Sequence, residues 1–249
     1  MVGATAGIGR AMADRLVEAG AKVTAVGRRK ERLDEFVRKH GESKASAVPN
    51  KNRIAGGDAS FPDVNCIFLN AGIQSPYDLT DPAKFNLENF LEEVNVNFSR
   101  FVALTNAFLP FMTQKQTPTS FIFTGSNLAI VPAATLPAYS ASKAALNAFV
   151  LCLREQLRNS NVKVIEISPP PVQTELHDYM GEEAGRKLVM PLNAFAEEAY
   201  KGLVSSQDQI VIGAIGPADT FNEIIDKRRI PVRVGSQSEA LASAGEQRA

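Results

Sequence analysis

Short, nearly continuous apolar runs alternate with amphipathic helical stretches along most of this chain, and that alternation admits few folds. Apolar residues recur at Ile8, Met12, Leu16 and Val17 and stop at Gly20, which predicts a helix from Gly7 to Ala19. A β-branched run over 22–27 follows, then a helix over 29–40 that carries Leu33, Phe36 and Val37 on one face and ends at Gly41. Strands are predicted again over 64–69, 120–124, 162–167 and 209–212, with helices over 86–112, 138–158 and 196–204 between them. Parallel strands need crossovers long enough to hold a helix, and strands apolar on both faces must be covered on both faces. The expected fold class is α/β, a doubly wound, mostly parallel sheet with helices on both sides.

Two places interrupt the pattern. Only Met1 and Val2 precede the glycine cluster that begins at Gly3, where a buried strand normally leads in. The segment 41–62 holds Val48, Ile54, Phe61 and a few alanines as its apolar content, too little for another strand and crossover helix. The first and third strands are therefore expected to be incomplete. One folded unit is expected over 1–234, followed by a frayed Ser-, Ala-, Gln- and Glu-rich tail over 235–249.

Composition removes several function classes. Lys and Arg total 27 and Asp and Glu total 27, so no net field draws the chain to nucleic acid or to an anionic membrane. No run reaches the roughly 18 apolar residues that span a bilayer, and the start lacks the pattern of a signal peptide, so a cytoplasmic protein is expected. Cys66 and Cys152 lie in apolar runs and read as buried thiols of a reducing compartment rather than a disulfide framework. His40 and His177, the two histidines, leave little for a metal site, and none is expected.

The segment Gly3-Ala-Thr5-Ala-Gly7-Ile8-Gly9 opens the first helix. Glycines there let backbone approach a pyrophosphate, while the helix N-terminus supplies N–H donors and the positive end of its dipole. A plain glycine-rich turn has the same appearance. The following strand ends at Arg28-Arg29, and two guanidiniums suit a ribose 2′-phosphate, whereas NAD asks for an acid at that tip. NADP(H) is thus expected over NAD(H), although Lys30 and Arg32 make a solvated helix start an alternative. Further along, Tyr139 and Lys143 stand at i and i+4 on one helix face, where an ammonium stabilises a phenolate and brings it toward the working pH. Ser126 falls just past the C-terminal end of a strand, the ligand side of a parallel sheet, where its hydroxyl can hold a carbonyl.

With these residues in place, the sequence resembles the short-chain dehydrogenase/reductase family, from Gly3 to about Gly216. The motifs are Gly3-x-x-x-Gly7-x-Gly9, Asn70-Ala71-Gly72 after a strand, Asn97 in the long helix, Ser126, Tyr139-x-x-x-Lys143, and Pro169 to Thr174 after a later strand. The resemblance implies a Rossmann-type fold and hydride transfer between NADP(H) and a carbonyl or alcohol. It makes Tyr139 the general acid/base, Lys143 the group that lowers its pKa and binds the nicotinamide ribose, Ser126 the carbonyl holder and Asn97 the support of a proton-relay water. Asn95, two residues earlier, competes for that last role. Cofactor contacts are implied for Gly3, Thr5, Gly7, Ile8, Gly9, Arg28, Arg29, Asn70, Ala71, Gly72, Tyr139, Lys143, Pro169, Val172 and Thr174. His177 falls in the variable substrate lid, as a loop residue or a substrate contact, and Ser142 reads as packing. A homodimer or homotetramer is implied, paired through the helices that hold Asn97 and Tyr139.

The chain departs from the family pattern at the short first strand, at Val2 where a Thr is usual, at Pro170 where a Gly is usual, and at 41–62, where Asp58 is the one remnant of a third strand and its helix. Since the first strand is central in that strand order, its neighbours are expected to lack a partner, as in an incomplete version of a working reductase. A non-enzymatic nucleotide-binding protein on the same fold is the alternative reading, and an epimerase or dehydratase that reuses the Tyr and Lys is a third.

Overall fold

Helix α1 (Gly7–Glu18) begins inside the glycine cluster and buries Met12, Ala13 and Val17 on the face predicted from their spacing. In the computed structural model, which describes residues 1–49, 62–181 and 190–229, strand and helix then alternate as expected. Strand β1 (Val23–Gly27) leads into α2 (Lys30–His40), which buries Leu33 and Phe36 and stops at Gly41 with φ +80°, a conformation that favours glycine. After β2 (Ala45–Pro49) and β3 (Cys66–Leu69) comes α3 (Leu87–Val94), capped by the Asn86 side chain, which accepts from the Asn89 N–H. A π-helical turn, Asn95–Ser99, joins it to α4 (Arg100–Gln114). Strand β4 (Thr119–Thr124), helix α5 (Pro137–Gln156) with a proline in its first turn, β5 (Val162–Ser168), α6 (Leu192–Val204), β6 (Gln209–Val211) and α7 (Ala218–Arg228) complete the order. Helix α7 lies beyond the predicted elements; Phe221 and Ile225, four apart and both buried, are the signal for it.

All strand pairs are parallel. β3, β4, β5 and β6 lie side by side in that order, and β1 pairs with β2 in register from Val23 with Ala45 to Gly27 with Pro49. Val2 joins the two groups, bridging Val26 on one side and Leu69 on the other. The Val2 N–H donates to Phe68 O at 2.8 Å, Val26 N–H to Met1 O at 2.8 Å, and Asn70 N–H to Val2 O at 3.1 Å. Two expectations change here. The first strand is as short as its sequence, yet its neighbours do not lack a partner, because strand pairing needs only backbone groups: Val2 bonds to Phe68 and Asn70 on one side, while Met1 O and Gly3 N–H bond to Val26 on the other. The third strand is present as β2, since Ala45 to Pro49 pairs through backbone and asks little of its side chains. Asp58, the helix sought after that strand, and the tail 235–249 lie outside the described residues.

The alternation of side chains along the strands divides the core. Ile67, Leu69, Phe121, Phe123 and Val164 pack with Phe101, Met112, Leu146 and Val150 of α4 and α5. Phe68, Ile122, Ile165 and Ile167 pack with Met12 of α1 and Phe195, Ala196 and Ala199 of α6. The sheet is therefore covered on both faces, the doubly wound α/β architecture expected. Cys66 and Cys152, expected in the core, are exposed instead. No helix among the described residues is long and apolar enough to cross a membrane, and no group of three or more His, Cys, Asp or Glu there could hold a metal ion.

Candidate active site

The site forms where Val2, the switch point of the strand order, hands the chain to α1. Gly3 has φ +81°, and a Cβ on it would stand 2.6 Å from the Ala71 backbone nitrogen. A Cβ on Gly9 would stand 2.1 Å from the Gly3 carbonyl oxygen, so the turn closes on itself only with glycine at both ends. Asn70 clamps this turn: its amide donates to Gly3 O at 3.2 Å while its side-chain oxygen accepts from the Thr124 hydroxyl at 2.9 Å. Thr5 is buried beside the turn and Ile8 lines the cavity below it. Bare backbone, the N-terminus of a 12-residue helix and close strand contact fit a dinucleotide pyrophosphate.

At the tip of β1 the arginines divide. Arg28 is exposed, whereas Arg29 donates to Thr5 Oγ1 at 3.2 Å and pairs with Glu175 at 2.6 Å, and Arg32 takes the other Glu175 oxygen at 2.6 Å. These two guanidiniums hold the Glu175 carboxyl below the usual carboxylate range. The two guanidiniums that hold Glu175 are Arg29 and Arg32, one turn apart at the start of α2.

Helix α5 presents Tyr139, Lys143 and Asn147 along one buried face. Tyr139 shares a cavity wall with Ser126, which follows β4 and accepts from the Leu128 N–H at 3.1 Å. The Lys143 ammonium donates to Thr124 O at 2.7 Å. In the π-helical turn Asn97 is fully buried; its side-chain oxygen accepts from Ile73 N–H and its amide donates to Ile73 O, both at 2.9 Å, and to Ser142 Oγ at 3.1 Å. Ser142 passes this on by donating to Tyr139 O at 2.8 Å, so it joins Asn97 to the Tyr139 backbone rather than serving packing alone. Asn95 turns outward to Glu92 at 2.9 Å, which leaves Asn97 as the residue facing the cluster. Gly72 lies 3.4 Å from the Asn97 side-chain oxygen, counted from where its Cβ would be.

Electrostatics depart from the sequence expectation. Burial pushes the Tyr139 phenol up to about 12, against the lowering effect of the Ser126 hydroxyl, and pushes the Lys143 ammonium down to about 8. At both groups desolvation outweighs the neighbouring interactions. The cavity beside Tyr139 is about 40 Å³, lined by Ile8, Ser126, Val172, Thr174 and His177 among others, with Pro169 beside them. Thr174 closes over Gly7, and Gln74 donates to the Tyr179 hydroxyl at 2.9 Å, which pins the segment Glu175–Met180 over the site. His177 is half-buried there, its Nδ1 without a hydrogen-bond partner, and burial lowers its pKa. Two buried acids near the cluster were not anticipated. Glu93, one turn before Asn97, accepts from the Tyr77 hydroxyl at 3.3 Å and burial pushes it up to about 7; Glu166 lies in the middle of β5. A charge inside the apolar run 162–168 was the available signal for the second.

A glycine turn at the switch point of a doubly wound parallel sheet defines a dinucleotide-binding class of protein. The short chain dehydrogenase family profile matches residues 1–185, and the chain belongs to that short-chain dehydrogenase/reductase family of oxidoreductases. DltE of Bacillus subtilis, an uncharacterized oxidoreductase, is 35% identical over 236 residues, 92% of this chain and 87% of that one. The NADP-dependent 3-hydroxy acid dehydrogenase YdfG of Salmonella typhi is 34% identical over 176 residues, 68% of this chain and 70% of that one. Among solved structures, serine dehydrogenase complexed with NADP+ superposes with a TM-score of 0.74 at 25% identity, covering 85% of this chain and 92% of that one. A short-chain dehydrogenase from Sphingobium yanoikuyae in complex with NADPH reaches 0.79 at 20% identity over 96% and 98%, a likeness of fold.

Proposed function

We propose that this chain is an NADP(H)-dependent oxidoreductase that interconverts a carbonyl compound and an alcohol, with Tyr139 as the general acid/base. The observation that carries the reading is that buried Tyr139 and Ser126 line the same cavity, below the glycine turn. The cofactor supplies or accepts the hydride. A phenol held near 12 is fully protonated at neutral pH, the form needed to donate a proton to an oxygen that gains negative charge during reduction. Ser126 holds that oxygen and Lys143 places a cation one helical turn from the phenol. Asn97 sets the Tyr139 backbone through Ser142.

NADP(H) is preferred to NAD(H) because Arg29 and Arg32 already bind a two-oxygen anion side by side, and the name of the Salmonella relative points the same way. A small-molecule partner enters beside Leu128, Val172, Leu176 and Ile215, a mostly apolar wall. Leu87 and Leu91, both more than half exposed on α3, support the expected homodimer or homotetramer. The alternative of a non-enzymatic protein rested on missing strands, and Val2 and β2 remove much of that ground.

Tyr139→Phe tests the reading. Turnover of NADPH with a carbonyl substrate is expected to fall by about 10²–10⁴-fold, while the rise in melting temperature on adding NADPH stays. Turnover retained in the variant removes Tyr139 from the chemistry.

A further inference from the structure

The segment 174–180 lies across the candidate site and is fastened there along its length. Thr174 Cγ2 stands 3.1 Å from where a Cβ on Gly7 would be, so the segment starts directly against the turn that opens α1. Behind it, the Gln173 N–H donates to Met190 O at 2.9 Å and the Met190 N–H to Pro171 O at 3.0 Å, which fixes the base. Toward the far end the Tyr179 hydroxyl accepts from the Gln74 amide at 2.9 Å. Between these points Glu175 reaches across to the start of α2, where its Oε2 meets Arg29 and its Oε1 meets Arg32, both at 2.6 Å.

Leu176 and His177 of the same segment line the cavity that also holds Tyr139 and Ser126. At about 40 Å³ that cavity falls far below the roughly 300 Å³ at the small end of ligand sites. A nicotinamide ring and a carbonyl compound do not fit beside Tyr139 while the segment stays where it is.

The fastening is one that a ligand can exchange. Arg29, Arg32 and Glu175 are each close to half exposed, and Arg29 Nε also donates to Thr5 Oγ1 at 3.2 Å within the glycine turn. Ion pairs this exposed to water hold weakly. A phosphate monoester brings more negative charge than a carboxylate, and three acceptor oxygens, to the same two guanidiniums. Hydrogen bonds from Arg29 and Arg32 keep the Glu175 carboxyl ionised at neutral pH, so it repels a phosphate that approaches them.

We propose that Glu175 is a strap that fastens segment 174–180 over the cavity, and that a cofactor carrying a 2′-phosphate releases the strap by taking Arg29 and Arg32. The proposal rests on the reading of these arginines as the phosphate site. A ligand shifts an equilibrium only by binding its two states unequally, and here the states differ in whether the guanidiniums are free. Capture of the phosphate at the start of α2 is thereby coupled to opening of the cavity beside Tyr139.

Hydrogen exchange of the Leu176, His177 and Gly181 amides reads the strap, since they are bonded within it to Thr174 Oγ1 at 3.3 Å, Thr174 O at 3.3 Å and Asp178 O at 3.0 Å. The full chain is compared before and after saturation with adenosine 5′-monophosphate or adenosine 2′,5′-bisphosphate, which differ in the 2′-phosphate alone, and calorimetry records how tightly each binds. The bisphosphate is expected to speed exchange of the three amides about threefold and the monophosphate to leave it unchanged. In Glu175→Gln exchange is expected to start at the faster rate and to ignore both nucleotides; a variant as slow as the unsubstituted protein overturns the strap. A bisphosphate that binds more tightly than the monophosphate yet leaves exchange unchanged, or slows it, overturns the strap and keeps the phosphate site. One that binds no more tightly removes the phosphate site and the strap with it. The nucleotide comparison in the unsubstituted chain is decisive whether or not the variant folds.

Discussion

The two halves of the sheet are built by different means. From β3 to β6 the strands share ladders of four, six and three residue pairs over a core of Phe101, Phe121, Phe123, Leu146 and Val150, and the polar groups at stake are buried. The other half, β1 and β2, joins through the short segment from Met1 to Ala4 and packs a smaller cluster around Leu33 and Phe36, with its arginines and Glu175 close to half exposed. The candidate catalytic groups therefore sit in a buried framework, while Arg29, Arg32 and Glu175 pair at the surface. Charge is worth more in the first setting than in the second, because water screens the exposed pairs.

Substitutions in each half sharpen or break this contrast. The largest effect is expected from Phe123→Ala, which empties a site touched by Phe101, Phe121 and Phe149 and is expected to cost about 4 kcal/mol in a denaturant melt. A loss under about 1 kcal/mol means that the aromatic cluster is not the frame of that half. Glu93 gives the next. With its carboxyl raised from 4.5 to about 7, the folded chain holds a proton that the unfolded chain releases in that interval. The contribution is present below pH 4.5 and is lost as pH rises through about 7, so Glu93→Gln gains about 2 kcal/mol relative to the unsubstituted protein across it. Parallel stability curves for the two proteins contradict the burial of that acid.

The smallest effect belongs to the nucleotide half. Glu175→Gln removes an exposed partner of Arg29 and Arg32, so stability is expected to change by less than about 0.5 kcal/mol. The same change frees both guanidiniums, and calorimetry is expected to show NADPH binding about threefold tighter with NADH unchanged. Weaker NADPH binding shows that Glu175 helps to hold the cofactor instead of competing with its phosphate.

Much of the fold was legible because its signals are local. The 3.6-residue spacing of Ile8, Met12 and Leu16 and the buried run at 120–124 each report an element within a few residues of themselves, and both elements formed. Strand β2 was missed because Ala45 to Pro49 pairs by backbone with a strand some twenty residues earlier, and its side chains carry almost no pattern. At the candidate site, Tyr139 and Lys143 announce themselves by their four-residue spacing. Arg32, Glu175 and Glu166 do not, since Arg32 and Glu175 lie 143 positions apart and Glu166 lies 19 from its partner Asn147.

What the sequence by itself determined is the strand and helix order apart from β2 and α7, the glycine turn and the presence of a Tyr and a Lys on one helix face. Those follow from backbone sterics and side-chain period, which act over one or two turns. The tertiary structure alone decided that the segment around Val2 bridges the two groups of strands, that Arg32 joins Arg29 on Glu175, and that Tyr139 and Lys143 are driven apart in pKa. These depend on which distant groups exclude water from a given atom, and desolvation is a property of the packed molecule.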